Sequence, residues 1–150
     1  MSYIINQYTV KLIKEKNGRY DIDNKVIKDA QTVASIVDIV IDINNSAVEK
    51  FGIITLTIKN KIIGLHIISV GSLTAAIVHP REVFQQAILC NASKIVCFHN
   101  HPSGDTAPSQ DDIETTKRLV QAGEIMGIKV YDHVIVSEGN YYSFKENGKI

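Results

Sequence analysis

Ser93-Lys94-Ile95-Val96-Cys97-Phe98-His99-Asn100-His101-Pro102-Ser103-Gly104-Asp105-Thr106-Ala107-Pro108-Ser109-Gln110-Asp111-Asp112 holds a strand, a loop and a helix start in succession. Ser93 to Phe98 is β-branched and apolar, the composition of a buried strand. It runs directly into His99-Asn100-His101-Pro102. Ser103 to Pro108 carries glycine and proline and reads as a loop. Ser109 is a strong N-cap, and Asp111 and Asp112 suit the first turn of the helix that follows, which runs to about Met126.

Strand side chains alternate faces, so His99 and His101 project to the same side and one ion can take a nitrogen from each. Imidazole is a favoured zinc ligand. Asp112 supplies a third ligand once the loop reverses the chain. Three protein ligands leave a fourth position for water, the arrangement of a catalytic zinc site. A general base is also required, and spacing alone does not choose among the glutamates. Glu49 attracts attention because it opens a strand, where a carboxylate is less common than on a helix surface. Ser109 is placed to donate a hydrogen bond to an oxyanion. Cys97 shares the parity of the histidines, but about 13 Å of strand separates it from His101, so it reads as core. His66, His79 and His133 read as ordinary hydrogen-bonded histidines, with His79 and His133 also candidates for orienting the site.

Outward from this stretch, about Asp29 to Asn44 has helical apolar spacing through Val33, Ile36, Val37, Val40 and Ile41. Glu49 to Ile58 and Ile62 to Val70 read as strands joined by Lys59-Asn60-Lys61. Leu73 to Val78 reads as another strand, and His79 to about Cys90 as a helix with Pro80 in its first turn. Ile128 to Val136 and Tyr141 to Phe144 are further strands around the turn Glu138-Gly139-Asn140. Tyr3 to Ile13 alternates as a strand before a turn at Lys16-Asn17-Gly18. Strands and helices mix without regular alternation, which predicts an α+β or α/β sandwich with a mixed sheet.

The 150 residues suit one domain, 1–150. Within it, 1–47 forms a strand pair and a helix, and 48–144 forms the core with the metal site. Sixteen basic and sixteen acidic residues cancel, which removes any general attraction to nucleic acid or anionic membrane. A neutral chain is also prone to self-association, which leaves a homodimer open. Cys90 and Cys97 make neither a disulfide framework nor a CxxC zinc site. With no signal-peptide pattern and no membrane-spanning run, the chain reads as cytoplasmic.

The run from His99 to Asp112 resembles the JAMM signature of the JAB/MPN metalloprotease superfamily. That signature is His-x-His, ten residues, then Asp, with Ser three positions before it; here the ten are Pro102 to Asp111. His79-Pro80-Arg81-Glu82, Asn91-Ala92, the His-Asn-His-Pro-Ser-Gly run and Asp132-His133 resemble the RadC-like branch, from about Val48 to Phe144. The resemblance implies a JAB/MPN (cytidine-deaminase-like) fold, a mixed sheet flanked by helices. It implies one zinc ion on His99, His101 and Asp112, with Glu49 as general acid/base and Ser109 as oxyanion stabiliser. It also implies a zinc metallopeptidase that cleaves peptide or isopeptide bonds in a protein or peptide substrate. The alternative is a DNA-repair-associated or nucleic-acid-processing module, or a non-catalytic zinc-binding protein. RadC-like chains often carry a helix-hairpin-helix segment, whereas residues 1–47 show no Gly-rich hairpin.

Elemental analysis of the purified protein is expected to find about one equivalent of zinc, lost in His101→Ala. Zinc retained by that variant would remove His101 from the ligand set.

Overall fold

The strand that ends in the His-x-His run stands at the centre of a five-stranded mixed sheet. The computed structural model describes residues 7, 9, 11–15, 18–20, 25–71 and 78–150. In chain order the elements are α1 (Ala30–Ile41), a 3-10 turn (Ile43–Asn45), β1 (Lys50–Leu56), β2 (Ile62–Val70), α2 (Pro80–Leu89) and β3 (Lys94–Asn100). They continue with α3 (Gln110–Met126), β4 (Lys129–Ser137) and β5 (Asn140–Ser143). The sheet order is β2-β1-β3-β4-β5, with β3 and β4 parallel and every other neighbour pair antiparallel. This is the α+β sandwich expected from the sequence.

Local chemistry sets the element ends. Asp29 caps α1 by accepting from the Thr32 amide at 2.7 Å. The helix stops at Asp42, which takes a left-handed φ of 50° and donates its N–H to Asp38 O. The helix therefore ends earlier than the expected Asn44, and Ile43–Asn45 continue as a 3-10 turn. Asn60, at φ 59°, closes the β1–β2 connection, where Thr57 N donates to Lys61 O at 2.9 Å. Pro80 opens α2 and Gly127, at φ 68°, ends α3.

Alternation along β3 divides its side chains between two apolar layers. Val96 and Phe98 pack with Ile54, Leu56, Val134 and Val136 beneath α1. Ile95 and Cys97 pack with Ile53, Val83, Phe84 and Leu119 beneath α2 and α3. Burying each large side chain contributes about 1.5–3 kcal/mol. His99 follows the parity of Cys97, so it emerges on the α3 face.

Two strand boundaries differ from expectation in a way that matters for the site. β1 starts at Lys50, leaving Glu49 just before it, and β3 runs through Asn100 rather than ending at Phe98. Pairing explains the second: Phe51 opposes His99, and β4 runs alongside as far as Asn100. β4 and β5 are each shifted by one residue relative to the sequence reading. The expected strand at Leu73 to Val78 lies outside the described residues except for Val78. The expected N-terminal strand and its turn lie largely outside them too; the described residues of that strand, Gln7, Thr9 and Lys11 to Ile13, are not in a strand. No helix among the described residues is long and apolar enough to cross a membrane.

Gly52 lies where β1 passes close to both β2 and β3. A Cβ there would run into the Phe98 ring and stand 2.6 Å from the His66 carbonyl oxygen. Gly52→Ala is expected to lower stability by about 1–3 kcal/mol in urea unfolding. An unchanged midpoint would show that Phe98 has room to move.

Candidate metal centre

β3 delivers His99 at its end and His101 one residue beyond it, while the first turn of α3 delivers Asp112. One ligand atom from each lies within 4.8 Å of the others. His99 Nε2 is 3.0 Å from His101 Nε2 and 3.1 Å from Asp112 Oδ1. His101 Nε2 stands 3.4 Å from Asp112 Oδ2. His99 and Asp112 are buried, and His101 keeps 14% of its side chain exposed, so the cluster opens to solvent on the His101 side.

Asp112 is held by the start of its own helix. The amide and hydroxyl of Ser109 both donate to Asp112 Oδ2 at 2.7 Å, and the Asp112 amide donates to Ser109 Oγ at 3.2 Å. This capping box satisfies two amides at the N-terminus of α3, whose dipole also favours the anion. Burial pushes the Asp112 carboxyl up, but its contacts with His101, His99 and Ser109 outweigh it and hold the group well below the usual carboxylate range. Contact with Asp112 pushes His101 up, burial opposes this, and the Asp105 carbonyl and the charge of Glu49 add to the rise.

The far nitrogens of both imidazoles are engaged. His101 Nδ1 is 2.6 Å from the carbonyl oxygen of Asp105, which can only accept, so Nδ1 carries a proton. His99 Nδ1 is 2.8 Å from His133 Nε2. His133 is buried between two rings, stacked on Phe144 at 4.8 Å and edge-on to Phe51 at 5.5 Å. Burial lowers its pKa well below the ordinary histidine value. An electron-rich pocket bounded by two Nε2 atoms and a carboxylate matches the donor set of a divalent zinc site.

Glu49 is half-buried and precedes the strand paired with β3. Extending the Phe51–His99 register by two residues sets it opposite His101. Asn100, on the other face of β3, fixes the backbone on both sides of Glu49. Its Oδ1 accepts from Lys50 N at 2.8 Å and its Nδ2 donates to Val48 O at 3.2 Å. The middle residue of His-x-His is thus a clamp between β3 and the start of β1.

His66 lies away from the cluster. Its Nε2 is 3.4 Å from Cys90 Sγ and 3.3 Å from Thr55 Oγ1. His79 occupies the N-cap position of α2 without a side-chain capping bond. Cys97 is fully buried, and burial pushes its thiol far up, as a core residue requires. Two further participants escaped the sequence reading. The Asp105 carbonyl is backbone and has no residue signature. Thr116 lies four residues after Asp112 on the same helix face, and its hydroxyl is 2.6 Å from both the Asp112 carbonyl oxygen and His133 Nδ1.

Comparison with known proteins follows the same core. A UPF0758 protein of Caldanaerobacter subterraneus subsp. tengcongensis is 58% identical over 100 residues, covering 67% of this chain and 43% of the relative. One from Symbiobacterium thermophilum is 51% identical over 102 residues, covering 68% and 44%. One from Alkaliphilus oremlandii is 57% identical over 99 residues, covering 66% and 43%. The chain thus spans less than half the length of these curated relatives, whose name states no activity. The model of the RadC-like JAB domain matches residues 27–149, a span that takes in all three helices and all five strands. The chain belongs to the RadC-like JAB domain family.

Proposed function

We propose that this chain is a zinc-dependent hydrolase of JAMM type that cleaves a peptide or isopeptide bond in a protein or peptide substrate. The observation that carries the reading is the convergence of His99 Nε2, His101 Nε2 and the Asp112 carboxylate within 4.8 Å, at a point open on one side. Zinc, when bound, supplies Lewis acidity that lowers the pKa of a water toward ~7 and polarises a carbonyl.

The chain's own residues carry the rest. Glu49, two residues before the Phe51–His99 pair and flanked by the Asn100 hydrogen bonds to Lys50 and Val48, accepts a proton from the attacking water. It then returns that proton to the leaving amine, so one carboxylate serves as base and acid. Ser109 donates to the developing oxyanion. Its hydroxyl faces Asp112 Oδ2 at 2.7 Å, and the Ser109 amide bonds the same oxygen at the same distance. The hydroxyl can therefore turn to the substrate while the amide keeps Asp112 in place. The partly exposed edge of His101 gives the substrate carbonyl an approach, while the buried His99 anchors the floor.

The neutral balance of the sequence favours a protein or peptide partner over autonomous DNA binding. Zinc-loaded protein assayed on linear and isopeptide-linked peptides is expected to release amine. Glu49→Gln is expected to lose activity by about 10²–10⁴-fold with zinc content unchanged. Undiminished turnover in that variant would remove Glu49, and inert wild-type protein across both bond types would overturn the peptidase reading.

A further inference from the structure

We propose that Thr116 and His133 are positioning residues that lock the proton of His99 onto Nδ1 and so keep its Nε2 bare for a divalent cation. The inference rests on the metal-site reading above and adds two residues to it.

The order of protons follows from one hydroxyl. Thr116 Oγ1 donates to the carbonyl oxygen of Asp112 at 2.6 Å, one helical turn back. A carbonyl has no proton to offer, so the single hydroxyl proton is committed there. Thr116 Oγ1 then turns a lone pair toward His133 Nδ1, also at 2.6 Å, and that nitrogen must be the N–H. His133 is 1% exposed, with Phe144 stacked on one face and Phe51 at its edge. In its neutral form the other nitrogen, Nε2, is bare and accepts from His99 Nδ1 at 2.8 Å. His99 is left with an unprotonated Nε2 aimed at the cluster, beside Asp112 Oδ1 at 3.1 Å and able to accept from His101 Nε2 at 3.0 Å.

The opposite order shows what the anchor excludes. Were the Thr116 hydroxyl turned to His133 Nδ1, each proton in the chain would move one nitrogen along. His99 would then present N–H at Nε2 and could not ligate. The Asp112 carbonyl decides between the two arrangements. One residue therefore serves the cluster twice, its side chain facing His99 and its main chain setting the tautomer of His99 through Thr116 and His133.

The experiment uses the whole chain with Zn²⁺ as probe. Nitrogen NMR of the metal-free wild-type protein is expected to show His99 protonated at Nδ1 and bare at Nε2. Zinc affinity, read by competition with a chromogenic chelator, is expected to fall by about 10–100-fold in Thr116→Val. Thr116→Ser restores the hydroxyl and is expected to recover the wild-type affinity. A folded Thr116→Val that binds zinc as tightly as wild type would overturn the proposal. So would a His99 protonated at Nε2 in the wild-type spectrum, a result that needs no variant to fold. Failure of the wild-type chain to bind zinc would overturn the metal reading itself, and this proposal with it.

Discussion

A carboxylate buried beside two imidazoles is the constraint around which this chain is arranged. Asp112 keeps its charge under burial because the Ser109 amide and hydroxyl donate to one oxygen while His99 and His101 face the carboxylate. An unpaired buried charge would be strongly destabilising, so these partners are a condition of the fold as much as of the chemistry. The same capping box starts α3, and α3 in turn packs its Leu119 into the apolar layer of Ile95, Cys97 and Val130 on one face of the sheet. Site and core therefore share one helix turn.

The parallel pairing of β3 and β4 is the second element of the arrangement. It sets β4 beside the end of β3 and allows His133 to reach His99 on the neighbouring strand. Phe51 arrives from β1 and Phe144 from the segment after β5, so the His133 ring is packed by chain segments far apart in sequence. Such contacts depend on strand order, which β-alternation does not encode.

That distinction explains what was legible beforehand. Periodicity identified α1, the β1–β2 hairpin and β3, because each has one apolar face and turn-forming residues at its ends. The His-x-His spacing and the capping Ser109-x-x-Asp112 were visible because their geometry is local. From sequence alone His133 is an ordinary hydrogen-bonded histidine or one that orients the site, since only the β3–β4 pairing reveals its neighbour His99. Asp42 ended α1 early because aspartate tolerates the left-handed region, a preference the apolar stripe does not register. Asn100 looked like a spacer because its partners, Val48 O and Lys50 N, lie on another strand.

The amide of Asn100 ties the Glu49 segment to the strand bearing the imidazoles at two points, one a donor and one an acceptor. The two halves of the centre are thereby coupled mechanically, and neither can drift without dragging the other. Warming that loosens this seam would separate Glu49 from His99 and His101 in a single event. Such a cluster would come apart abruptly on heating rather than by degrees.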